Sequence, residues 1–285
     1  MSRLMKIYYY AVLGGLGGLL AWQLSNLTGM SFTKSLYFNA LVVGGFIGFL
    51  IGFMIGAVEG ISARNWEKAV VSGAITGGLG ALGGAIGLPI AEGFLQVIGG
   101  YSWARPLGWG LFGLLTGTAA AYKGGAQIWK GAAGGFAGGI LGGLLLEFSR
   151  GALSDPLLGK AAGLILMGMA VGGCIALIVF TLSKAWFEVK SGKLKGTEFI
   201  LDKFLQPNGP SAIIGSSSLK ADIALPDPDI APQHAMLQGG GDYFNLKDMS
   251  MNGTFVNNKR VEQARLSNMQ TIRMGNTELV YHEKR

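Results

Sequence analysis

Residue types able to do chemistry are scarce in this 285-residue chain, and their spacing argues against catalysis. The one cysteine, Cys174, lies inside an apolar run, which leaves neither a disulfide framework nor a CxxC metal site. Two histidines, His234 and His282, cannot furnish a multi-histidine metal centre. The glycine-rich runs contain no GxxxxGK(S/T) phosphate cradle. No nucleophile–base pair and no carboxylate dyad stands out. Glu59, Glu92 and Glu147 sit in or beside apolar segments, where a central carboxylate would mark a proton or ion path, but each falls near a segment end. These patterns predict a non-enzymatic protein with no cofactor and no metal.

The elements that carry these residues divide in two. Half of the residues are hydrophobic, 14% are charged and 49 are glycine, against a usual glycine share of roughly 7%. Forty of the glycines lie in residues 1–185, whereas 23 of the 39 charges lie in residues 186–285. A helix needs about 20 mostly apolar residues to cross a bilayer. Six segments approach or exceed that length: 7–24, 36–58, 69–91, 106–122, 131–147 and 161–183. Arg3 and Lys6 precede the first segment, but no small-residue cleavage site follows, so it reads as an anchor rather than a signal peptide. With the N-terminus inside, the inner loops carry Arg3, Lys6, Arg64, Lys68, Lys123, Lys130 and Lys184, and the outer loops Lys34, Arg105, Arg150 and Lys160. That asymmetry puts both termini in the cytoplasm, in a multi-pass protein of the plasma (cytoplasmic) membrane.

Glycine recurs every four residues at Gly44, Gly48, Gly52, Gly56 and Gly60, and again at Gly131, Gly135, Gly139 and Gly143, with Gly134, Gly138 and Gly142 alongside. Such ladders let helix backbones approach closely, although a bare face could also line a pore. An offset of 61 to 62 residues relates Gly52–Gly56 to Gly113–Gly117, Trp66 and Lys68 to Trp129 and Lys130, and Gly73, Gly77 and Gly80 to Gly135, Gly139 and Gly142. The spacing predicts an internal two-helix repeat with parallel copies, unlike the inverted repeats of many transporters. The net charge of +7 then reads as loop bias that orients helices, and no nucleic-acid partner is expected.

From Trp186 short alternating strands separated by Gly, Asn, Asp and Pro turns predict an all-β sandwich over 186–285, after a helical membrane domain over 1–185. Strands are expected at 186–190, 198–201, 211–214, 223–225, 234–237, 243–246, 254–256, 271–274 and 278–281. Ile213-Ile214-Gly215, Ala221-Asp222-Ile223-Ala224-Leu225-Pro226-Asp227, Gln233-His234-Ala235 and Ser250-Met251-Asn252-Gly253-Thr254-Phe255-Val256-Asn257 follow one another in order. In order and spacing these segments resemble the forkhead-associated (FHA) domain.

That resemblance implies phosphothreonine-peptide recognition by loops at one end of the sandwich. The sequence departs from it where the phosphate would be held. Ser216 stands where the family has arginine, Ala231 where it has serine, and Met251 where a small hydroxyl is common. Asn252, which bonds the peptide backbone in the family, is kept, as is His234, which braces a loop there. A charge-assisted hydrogen bond contributes about 1.5–3 kcal/mol, so two lost donors weaken phosphate binding by one to several orders of magnitude. Ser216, Ser217, Ser218 and Lys220 offer hydroxyls and a flexible cation but no two-pronged fork. The resemblance thus implies partner-binding residues at Gly215, Ser216, Ser217, Ser218, Lys220, Asn252, Gly253 and Asn257, with His234 structural.

The expected function is a membrane scaffold or adaptor whose FHA-like module contacts protein partners without phosphate. The alternatives are a small channel or transporter regulated by the module, and a phosphothreonine-dependent signalling adaptor. Membrane lipid is an expected partner, and an oligomer or larger membrane complex stays open.

Overall fold

The structure, a computed structural model, describes residues 3–27, 36–97, 104–124 and 126–284. Lys34, an expected outer-loop charge, lies outside the described residues. Six helices form the first part: α1 (Arg3–Leu27), α2 (Leu36–Ser62), α3 (Trp66–Val97), α4 (Ala104–Gly124), α5 (Ile128–Ala152) and α6 (Pro156–Leu182). Among them α1, α2, α3, α5 and α6 contain stretches long and apolar enough to cross a membrane. Asp155 starts α6 by accepting from the amides of Leu157 and Leu158, with Pro156 just inside the helix. Asn65 starts α3, its side-chain oxygen accepting from the Lys68 amide at 3.0 Å.

The glycine ladders are used for contact between backbones. A β-carbon at Gly44 or Gly48 of α2 would run into the carbonyl of Gly84 or Gly80 on α3. Likewise Gly113 and Gly117 of α4 abut Gly135 and Gly131 of α5, and Gly14 and Gly18 of α1 abut Gly168 and Leu164 of α6. The second file of α5, Gly134, Gly138 and Gly142, faces Cys174, Ala170 and Met167 of α6. Lipid supplies no hydrophobic drive between helices, so this close dispersion contact holds the bundle together.

Where α2 ends, the Asn65 amide donates to the Gly60 carbonyl at 2.8 Å, and Arg64 occupies the left-handed region with φ 53°. That position normally falls to glycine. A side chain there costs about 1–2 kcal/mol.

The remaining residues fold into two sheets. The six-stranded sheet has the order β2 (Glu198–Ile200), β1 (Ala185–Val189), β11 (Thr277–Glu283), β10 (Thr271–Met274), β7 (Thr254–Val256), β8 (Lys259–Val261). The five-stranded sheet runs β4 (Ile223–Ala224), β3 (Ala212–Gly215), β5 (Ala235–Gly239), β6 (Phe244–Asp248), β9 (Gln263–Arg265). Only the β3–β4 pair is parallel among those described. Alternate residues point inward, so Phe187, Ile214, Leu237, Phe244, Leu246, Ile272, Leu279 and Tyr281 form one sealed core. Two strands not expected from sequence, β8 and β9, are short and largely exposed and show no apolar alternation.

Ser183 and Lys184 alone separate α6 from β1. Lys6 and Lys130 were expected in loops; the structure instead buries both in helices, each 1% exposed. Lys130 Nζ pairs with Asp202, in a short 3-10 turn after β2, and donates to the Leu182 carbonyl at 2.7 Å. The other oxygen of Asp202 accepts from the Lys184 and Ala185 amides. Lys6 Nζ pairs with Glu59 and donates to the Glu198 carbonyl, while Arg3 pairs with the Glu198 carboxylate at 2.7 Å and lies over the Trp186 ring. The sandwich is thereby fastened to the helix ends. At the opposite ends Arg105 pairs with Glu92 and Glu147.

Candidate functional site

Three loops meet at one end of the sandwich: 216–222 between β3 and β4, 225–234 between β4 and β5, and 249–253 between β6 and β7. His234, fully buried, ties them together. Its Nδ1 accepts from the Ala231 amide at 3.1 Å. The neutral ring therefore carries its proton on Nε2, which faces the Gly253 carbonyl at 3.3 Å and Ser250 Oγ at 3.1 Å. Ser250 Oγ donates to Asp248 at 3.1 Å and accepts from the Gly253 amide at 3.0 Å. Thr254 donates to the same Asp248 oxygen at 2.8 Å.

Gly215 sits so close to the 231–232 backbone that a β-carbon would strike the Pro232 carbonyl, and the Ser216 amide donates to the Ala231 carbonyl at 3.0 Å. Asn252 uses its side-chain amide on the Asp229 carbonyl at 2.9 Å. Gly253 has φ +80°, the left-handed region that favours glycine, and the Arg260 side chain covers it. Gly215, Ser216, Ala231, His234, Asn252 and Gly253 thus form one connected network. Ser217 is half-buried, whereas Ser218 and Lys220 project as exposed residues. Asn257 lies apart, at the far end of β7. There Asn257 and Asn258, with φ 48° and 65°, make the two-residue turn into β8, and Asn257 accepts from the Thr271 amide at 3.1 Å.

The network has acidic members that sequence reading passed over. Asp227 accepts from the amides of Asp229 and Asn276 and from the Thr277 hydroxyl. Burial pushes its carboxyl up, but these three donors and the nearby Lys193 charge outweigh burial and hold it below the usual range. Asn276 also donates to Asp229, so the β10–β11 turn supports the loop that positions Asn252. On strand β1, hydrogen bonding from Lys190 and then from His282 overcomes burial and lowers the Glu188 carboxyl. The hidden partner of this loop cluster is the helical part itself. Lys68 Nζ reaches the Asp222 carbonyl at 3.4 Å, and a cavity of about 570 Å³ is lined jointly by Ser216 and Ser218 and by Arg64, Asn65 and Trp66 of the α2–α3 turn. No periodicity or motif signals that juxtaposition.

Beyond this network's order, the loops hold hydrogen-bond donors and exposed apolar side chains at Leu219, Met249 and Met251. Met251 is 98% exposed and its carbonyl is held by Arg260 at 3.1 Å. Such a surface suits contact with an extended chain.

The family model described as FHA domain matches residues 212–275. The chain is 32% identical over 94 residues to the glycogen accumulation regulator GarA of Mycobacterium tuberculosis, a match covering 33% of this chain and 54% of that protein. It is also 32% identical over 94 residues to the oxoglutarate dehydrogenase inhibitor of Corynebacterium jeikeium, with 33% and 60% covered. The chain therefore spans about half the length of these curated relatives. Among solved structures, the FHA domain of a Chlamydia trachomatis protein matches at 30% identity and TM-score 0.33, covering 36% of this chain and all of that one. Residues 212–275 are an FHA domain, carried behind six helices of which five have membrane-crossing length and apolarity.

Proposed function

We propose that this chain is a multi-pass adaptor of the cytoplasmic membrane that holds its FHA module against the inner helix ends and recruits a protein partner. The reading divides the chain into a membrane part, 1–185, and a module, 186–285. The observation that carries it is the fastening: Lys130 with Asp202, Lys6 with Glu198 and Arg3 with Trp186 join the module to the helix ends that hold Arg64, Lys68 and Lys123. Cationic helix ends face the cytoplasm, so the module and both termini lie on that side. The α2–α3 and α4–α5 hairpins, each joined through a glycine ladder, act as two copies of one unit.

Partner contact falls to the free rim of the loops, where Lys220, Met249 and Met251 are exposed and Asn252 lies between Met251 and Gly253 in sequence. Methionine adapts to irregular surfaces. Phosphate is not required, because Ser216 stands where the family's phosphate-holding arginine would be, while Asn252, whose amide braces the Asp229 carbonyl, shapes the rim that meets the partner. Full-length protein purified in mild detergent is expected to bring down a partner that survives phosphatase treatment and is lost in Met251→Glu and Asn252→Ala. Protein that comes down alone would sink the reading, and loss on phosphatase treatment would replace it with phosphothreonine-dependent signalling.

A further inference from the structure

The cavity of about 570 Å³ at the seam is lined by Arg64, Asn65, Trp66, Lys193, Ser216 and Ser218, with four apolar neighbours and no carboxylate. An adjoining cavity of about 380 Å³ differs in charge. There Glu59, Glu67 and Asp222 stand with Lys68, Lys123 and Lys203, so the cations are already balanced. The larger cavity carries two cations, hydroxyls and an amide with nothing anionic in its lining.

Arg64 is placed there at a cost in backbone conformation. A chain with 49 glycines sets an arginine in the left-handed residue that closes α2, and strained positions of that kind cluster at functional sites. Among the described residues no ion pair involves Arg64 or Lys193. The nearby Asp227 carboxylate feels the Lys193 charge, but its hydrogen bonds come from two amides and a hydroxyl and not from Lys193.

Depth decides what anion fits. Residues 63–65 turn between α2 and α3, two helices of membrane-crossing length, so the cavity lies where helices leave the hydrocarbon core. Trp66, 72% exposed, is the amphipathic ring expected at headgroup level. A phospholipid presents its phosphate at that depth continuously, whereas a peptide would have to enter between the module and the bilayer.

We propose that this cavity binds the phosphate headgroup of an anionic phospholipid. Arg64 supplies a two-pronged guanidinium, Lys193 a second cation, and Ser216 and Ser218 hydroxyl donors. The lipid then bridges the two parts of the chain. This inference rests on the bilayer placement proposed above.

Its test is native mass spectrometry of the full chain in mild detergent, titrated with phosphatidylglycerol or phosphatidylcholine. Inorganic phosphate and a phosphothreonine peptide serve as competitors. Phosphatidylglycerol is expected to bind in preference, and Arg64→Gly to weaken it about tenfold, the loss of one charge-assisted contact. Glycine suits the left-handed backbone, so the melting temperature is expected to hold or rise. Arg64→Asn, which also tolerates that conformation, gives a second variant with the same expected loss. Lipid retention equal to the parent chain in both variants overturns the proposal. So does displacement of lipid by either competitor at equal concentration. Flotation with neutral vesicles tests the bilayer placement separately: a chain that floats but does not discriminate phosphatidylglycerol sinks this inference alone.

Discussion

The helices and the sandwich are both rich in apolar residues, yet they fill space by opposite means. Between α4 and α5 the contact is made by what is missing, with Gly113, Gly117, Gly131 and Gly135 bringing carbonyls against backbone. Inside the sandwich it is made by bulk, with Tyr281 edge-on to Phe187 at 5.9 Å and to Phe244 at 6.1 Å. Water drives burial of large side chains in the second case. In lipid that drive is absent and only closeness counts. The difference teaches that tolerance to substitution should reverse across Ser183–Lys184: added atoms harm the first part, removed atoms the second.

The sharpest break is at the junction. Lys130→Met leaves Asp202 buried without its cation and is expected to cost about 3–5 kcal/mol, read as a drop in melting temperature with new protease cleavage near residue 184. Phe244→Ala, at a site with no exposure, is expected to cost a further-reaching but comparable amount, about 3–5 kcal/mol, seen as early loss of β circular dichroism. Gly135→Ala should destabilise the helices by about 1–3 kcal/mol, because the added methyl meets the Gly113 carbonyl. Gly78→Ala has nothing within 4 Å of the new atom, so helix propensity alone acts and a gain of about 0.5–1 kcal/mol is expected. Equal responses of the two glycines would break the comparison. The slightest effect concerns pH. Asp227 titrates below its usual value when folded, so its contribution is complete above the unfolded pKa of about 3.9 and is lost as pH falls through the folded one. Melting scans in acid should show a slope that Asp227→Asn flattens.

Much of the fold was legible. Each of the six apolar segments lies almost wholly within one helix, most of which extend past it because charged ends still continue the backbone ladder. The glycine files named their own contact faces, since a four-residue period marks one side of a helix. The core strands showed in their alternation. β8 and β9 did not, being three exposed residues each, although the Asn257–Asn258 pair that joins β7 to β8 is a turn signal in its own right. Of the site, the FHA motif names Gly215, His234, Asn252 and Gly253, which one network joins, and Asn257, which lies at the other end of β7, because a linear motif does not say which end of a strand its residues reach. The seam was illegible. Lys130 and Asp202 are 72 positions apart, and no spacing rule links a helix start to a turn in another fold.

One of the buried lysines also sets an order of events. Lys6 finds its counter-charge, Glu59, within the helices, whereas the Asp202 carboxylate that pairs with Lys130 is made after the last helix. Segments emerging from a ribosome fold in sequence. Until residue 202 has emerged, the bundle therefore holds Lys130 without its counter-charge. Completion of the module acts as the closing step for the helices that preceded it.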